Sequence, residues 1–85
     1  MIHLHRRRPE QNMARFYAMT IERSLFGHYM LVRCWGRIGG RGRIKSEWFD
    51  DEKAAAIRRD QLTRSKRRRG YQDPEAARQP PPLFR

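Results

Sequence analysis

The 85-residue chain has one cysteine, few acidic residues and no long apolar run. A single thiol excludes an internal disulfide, and it excludes a cysteine-built zinc site unless other ligands join it. No apolar stretch approaches the roughly 18 residues of a membrane-spanning helix. None follows the N-terminal charges either, so no secretory leader is expected and a cytoplasmic location is, nucleoid-associated if the chain binds DNA. Neither of the glycine loops that mark nucleotide-binding folds is present. No nucleophile stands in a pattern with His and an acid. His3 and His5 lack the further ligands a metal would need, and His28 at a turn exit is structural. These absences predict a non-enzyme without metal, cofactor or small-molecule substrate.

Positive charge is what the chain does have. Lys plus Arg number 20 against nine acidic residues, a net charge of +11, and 17 of the 20 are Arg. The isoelectric point is near 11.4. Such an excess repels itself and attracts polyanions. Nucleic acid is the intracellular polyanion, and each phosphate neutralised releases counterions. Arg binds phosphate through a planar fork and stacks on rings, whereas Lys is a point charge. The Arg codons of a GC-rich genome account for part of that ratio, but not for the net charge. With 38% hydrophobic residues, a chain this small supports one domain with a thin core.

Residues 1–13 (MIHLHRRRPEQNM) carry Arg6-Arg7-Arg8 and Pro9 with little periodicity, so they predict a flexible basic arm. Met13 is an alternative start. Residues 15–22 alternate as a strand, with Tyr17, Met19 and Ile21 on one face and Phe16, Ala18 and Thr20 on the other. Ser24 to Gly27 form a turn, and residues 28–35 a second strand, giving an antiparallel hairpin. Residues 44–49 predict a third strand with Ile44 and Trp48 in the core. Cys34 is expected as a buried, reduced thiol.

Asp50 is the expected N-cap of a helix over about 51–69, with Asp51 and Glu52 in its first turn. That position explains the acidic cluster without catalysis. Ala54, Ile57, Gln61, Leu62 and Ser65 form a narrow apolar stripe that suits a sheet better than a bilayer. Gly70 fits the left-handed C′ position, with Tyr71 covering residue 66. Residues 74–85 predict a disordered, Pro-rich tail.

The chemistry gathers where the second strand runs into Gly36-Arg37-Ile38-Gly39-Gly40-Arg41-Gly42-Arg43. A Trp at a strand end stacks on a sugar or base. Arg37 falls on the Trp35 side of an extended strand. Gly36 between them permits close approach, and loop glycines leave backbone N–H groups for phosphate oxygens. The plain alternatives are a core Trp and a solvated loop. The expected nucleic-acid contacts are Trp35, Gly36, Arg37, Gly39, Gly40, Arg41 and Arg43, with Lys66, Arg67, Arg68 and Arg69 at the helix end as a second patch.

The run Arg33-Cys34-Trp35-Gly36-Arg37-Ile38-Gly39 resembles the signature of the WGR domain. Phe16-Tyr17, Leu25-Phe26-Gly27, Glu47-Trp48-Phe49-Asp50 and Lys66 to Tyr71 extend the likeness over about residues 14–73. The resemblance implies an α+β fold: a small, twisted antiparallel sheet, partly open barrel in form, with one C-terminal helix across it. In poly(ADP-ribose) polymerases this module helps recognise DNA breaks. There the triplet Trp packs on a terminal sugar and the triplet Arg joins DNA contact to neighbouring domains. Those roles would fall on Trp35 and Arg37. The chain is similar to short bacterial proteins that are little more than this domain, and it lacks the polymerase domains that Arg37 would touch. Duplex DNA, and its ends in particular, is the partner this implies. A protein partner, or RNA bound through the Gly/Arg segment, stand as alternatives.

Overall fold

The computed structural model describes residues 1–78. In chain order it contains β1 (Ile2–Arg8), a 3-10 turn (Pro9–Gln11), β2 (Met13–Arg23), β3 (Tyr29–Arg37), β4 (Arg43–Phe49), α1 (Glu52–Arg68) and the short α2 (Pro74–Arg78). The strands form one antiparallel sheet in the order β1-β2-β3-β4. β1 and β4 are not neighbours, so the sheet stays open, and α1 packs across one face.

Residues 1–13 are not an arm. β1 pairs with β2 along its length, from Ile2 opposite Met19 to Arg8 opposite Met13. The cause is the alternation of Ile2 and Leu4 with His3 and His5, which the arginine run overshadows. Leu4 is 1% exposed, opposite Tyr17. Pro9 opens the turn into β2, and Asn12 closes it at φ 52° with its N–H donating to the Pro9 carbonyl. Asn is among the few residues that accept this left-handed conformation.

The core is Leu4, Tyr17, Met19, Leu31 and Tyr71, with Ala55 buried in the helix. All the sheet residues among them lie on the face that α1 covers. The opposite face carries Phe16, Ala18, Met30, Val32 and Cys34, each half-buried, with Ile44 and Trp48 exposed. Trp48 and Ile44 are therefore not core. Register decides the point: Trp48 lies opposite Met30 and Ile44 opposite Cys34, one residue out of phase with the covered face. Cys34 shares that uncovered face and is only half-buried.

The cap of α1 is Asp51, one residue later than expected, its carboxylate accepting from the Ala54 N–H at 2.7 Å. The expected stripe holds at Ala54, Leu62 and Ser65, all half-buried, and fails at two positions. Ile57 and Gln61 are exposed, while Ala55, Arg58, Leu62 and Lys66 turn inward to differing degrees. Glu47 of β4 pulls Arg58 across at 3.3 Å, and the small Ala55 permits close approach. Lys66 brings its ammonium over the Tyr17 and Tyr71 rings, a cation–π arrangement. The C-terminus closes with Gly70 at φ 98°, its N–H bonded to the Arg67 carbonyl and the Tyr71 N–H to that of Lys66. This is a Schellman closure.

Tyr71, buried and beside Lys66 as expected, leads into Gln72, which exchanges two 2.8 Å backbone bonds with His5. Residues 74–78 are helical rather than part of a disordered tail. Pro80-Pro81-Pro82 and Leu83-Phe84 lie outside the described residues. Among the described residues, no helix is long and apolar enough to cross a membrane, and no cluster of three or more His, Cys, Asp or Glu can hold a metal.

Candidate nucleic-acid interface

Register builds the site row by row on the helix-covered face. One row runs Leu4, Tyr17, Trp35, Arg43. The next toward the sheet end runs Arg6, Arg15, Arg37. An all-arginine row thus lies beside the aromatic one.

Trp35 is half-buried and packs at the edge of the core. Its ring tilts against Tyr17, with centroids 6.3 Å apart, and the Arg33 guanidinium carbon stands 5.9 Å from its centroid. Arg33 is held by Glu47 at 3.1 Å and donates to the Tyr17 hydroxyl at 3.4 Å. On one side Trp35 lines a groove of about 320 Å³ with Arg33, Lys66 and Arg69. On the other it lines an open cavity of about 500 Å³ with Arg15 and Arg43. The fold therefore brings the helix end and the strand end together around one indole.

Lys66 sits at the helix side of the groove. Its ammonium lies 4.6 Å from the Tyr17 ring centroid and 5.6 Å from that of Tyr71. Partial burial, with Arg69 and Arg33 repelling it, holds its pKa below the usual lysine range. Glu47 answers Arg33, but the cations lining the two cavities outnumber it, and such an excess suits a polyanion.

The glycine loop differs from its expected role. Gly36 does leave room for a close approach, but Gly42 of the same chain fills it: a Cβ on Gly36 would lie 2.6 Å from the Gly42 Cα. The Phe16 ring also covers this glycine pair on the uncovered face. Within the loop, the Gly40 N–H donates to the Arg37 carbonyl at 2.9 Å and the Ile38 N–H to that of Ala14 at 3.0 Å. These two amides are spent on the fold. Gly39 has φ 87° at the third position of that turn, as a type II turn requires.

Among the expected contacts, Trp35, Gly36, Arg43, Lys66 and Arg69 line the two cavities beside the indole. Arg37 and Arg15 line a third of about 380 Å³ next to the β1–β2 turn. Arg67 turns aside to Asp73 at 3.1 Å. Gly39, Gly40, Arg41 and Arg68 line none of these cavities. Arg33, Arg15, Arg6 and Arg8 are the additions. The signal for Arg33 and Arg15 is strand parity with Trp35 and Tyr17. Arg6 and Arg8 approach Gly70, with side-chain atoms 3.5 and 3.8 Å from where its Cβ would be. Only recognition of β1 as a strand places them there.

A profile of the WGR domain family matches residues 1–78. The chain belongs to the WGR domain family. The match begins at residue 1, so β1 is part of this WGR domain rather than an appendage to it. Trp35-Gly36-Arg37 is its triplet, and the triplet's two long side chains fall in adjacent rows of the covered face. The domain is also similar to uncharacterised protein y4dW of Sinorhizobium fredii, 46% identical over 70 residues. That alignment covers 82% of this chain and 34% of the relative, so the chain spans about a third of the relative's length. No solved structure gives a significant match.

Proposed function

We propose that this WGR chain is a non-enzymatic module that binds duplex DNA and seats itself at duplex ends. One observation carries the proposal: Trp35 stands between two cavities bordered by Arg15, Arg33, Arg43, Lys66 and Arg69. In this reading the cations take the phosphates on either side, and the indole packs on the terminal sugar or base pair. Arg37, with Arg15 and Arg6 in its row, extends the phosphate contact along the duplex. Phosphate contacts position but do not read sequence, so sequence preference is weak.

The test is a titration with blunt, nicked, closed circular and single-stranded substrates at two salt concentrations. With six to ten phosphates neutralised, affinity falls by about 10³–10⁵ between roughly 50 and 200 mM salt. Trp35→Ala weakens binding to open-ended duplex and leaves binding to closed circles unchanged. A flat salt response overturns the proposal. Tighter binding to single-stranded RNA than to duplex replaces it with RNA recognition.

A further inference from the structure

The sheet has two edges, and they are treated differently. β1 is closed from outside by the paired backbone bonds between His5 and Gln72. Among the described residues, no backbone bond joins β4 to any segment other than β3. β4 is seven residues long and contains neither Pro nor Gly. Natural edges are blunted by proline, a bulge, brevity or charged side chains, lysine above all; of these β4 has only the last, at Arg43, Lys45 and Glu47.

The phase of the ladder shows which groups face outward. The Ile38 N–H bonds to Ala14 and the Ser24 N–H to His28, so the even-numbered residues of β3 bond β2. Its odd-numbered residues then bond β4, at Leu31–Glu47 and Arg33–Lys45. The outward N–H and C=O groups of β4 are those of Ile44, Ser46 and Trp48. Of these, Ile44 is 71% and Trp48 59% exposed.

We propose that β4 docks against β4 of a second copy of this chain, antiparallel, about a two-fold axis at Ser46. Outward-facing residues must pair with outward-facing residues, which leaves few registers. Centring on Lys45 sets lysine against lysine, and centring on Glu47 sets glutamate against glutamate. Centring on Ser46 sets Ile44 against Trp48 and Lys45 against Glu47, on both sides of the axis. Aromatic–aliphatic and opposite-charge pairs are the favourable cross-strand pairs. Lys45 and Glu47 also fall at the non-hydrogen-bonded positions, where side chains approach most closely. Glu47 is already held in place by Arg33 and Arg58. The lysine that would guard a lone edge becomes, in this register, half of a complementary pair. An isologous contact of this kind closes on itself and forms one eight-stranded sheet with both helices on one side.

Sedimentation equilibrium of the full chain at moderate salt, without nucleic acid, tests the proposal. The expected result is a monomer–dimer equilibrium that Ser46→Pro weakens by at least about tenfold, through loss of the two central bonds. The Ser46 N–H faces away from β3, so far-UV circular dichroism and melting temperature should be retained. Ile44→Lys, at an already exposed position, gives the same loss and serves if the proline variant fails to fold. A wild-type chain that remains monomeric up to about 0.2 mM, or a dimer that Ile44→Lys leaves intact, overturns the proposal. Neither result depends on DNA binding.

Discussion

Gly42 is crowded on two sides. It has φ 76°, and a Cβ there would lie 2.7 Å from the Trp35 carbonyl oxygen and 2.8 Å from the Phe16 ring. Gly42→Ala should therefore cost about 2–4 kcal/mol in stability. Gly39→Ala, at φ 87° with nothing within 4 Å, should cost only about 1 kcal/mol. Urea denaturation of the two variants measures the difference, and equal costs would show that crowding is not the cause. Lys66 makes a pH prediction. Its pKa is lowered by burial, then by Arg69 and Arg33, so the unfolded chain holds this proton more tightly than the folded one. The cost of keeping Lys66 charged is fully present at neutral pH. It is relieved as pH rises through the lowered value toward the ordinary 10.5. If Lys66 meets a phosphate, wild-type affinity for duplex declines on that alkaline approach, while Lys66→Arg holds its affinity. Fluorescence anisotropy across pH measures both, and parallel curves would remove Lys66 from the interface.

At the scale of elements, β1 was the least legible part of the sequence. Three consecutive arginines and a proline look like a solvated arm, because charge density hides the alternation of Ile2 and Leu4. The pairing that rescues β1 lies in Tyr17 and Met19 of another strand, which local pattern does not contain. The helix cap and the Gly70 closure were legible, because both rest on local backbone chemistry. The stripe of α1 was legible at Ala54, Leu62 and Ser65 and misjudged at Ile57 and Gln61, because Glu47 draws Arg58 inward and the Tyr17 ring draws Lys66. Trp35, Arg37 and Arg43 were legible as members of a candidate site, but the arginine row beside them needed register. β1 also permits a separation of roles. Leu4→Ala should destabilise by about 2–5 kcal/mol, seen as a lower melting temperature. The double substitution Arg6→Gln, Arg8→Gln should leave folding intact and reduce the salt slope of duplex binding by about 2. An unchanged slope would place both arginines outside the DNA contact.

For the whole molecule, the excess of +11 works in opposite directions on folding and on binding. Most of it lies within the folded segment, where Arg33, Arg58, Arg59 and Arg67 form ion pairs with carboxylates. Added salt screens self-repulsion, so the free protein's melting temperature should rise between about 20 and 200 mM salt while duplex affinity falls. Calorimetry beside the binding titration gives both trends, and a melting temperature that falls with salt would mean that net repulsion is not a leading cost. The bridge between His5 and Gln72 has a consequence for connectivity. It sets the first strand and the end of the described chain side by side, so the path is nearly a closed ring. The order in which the elements are threaded is then separable from how they pack. A circularly permuted chain, entered at the exposed Leu25–Phe26 tip and joined from α2 into β1 by a short link, would give every strand the neighbours it has now.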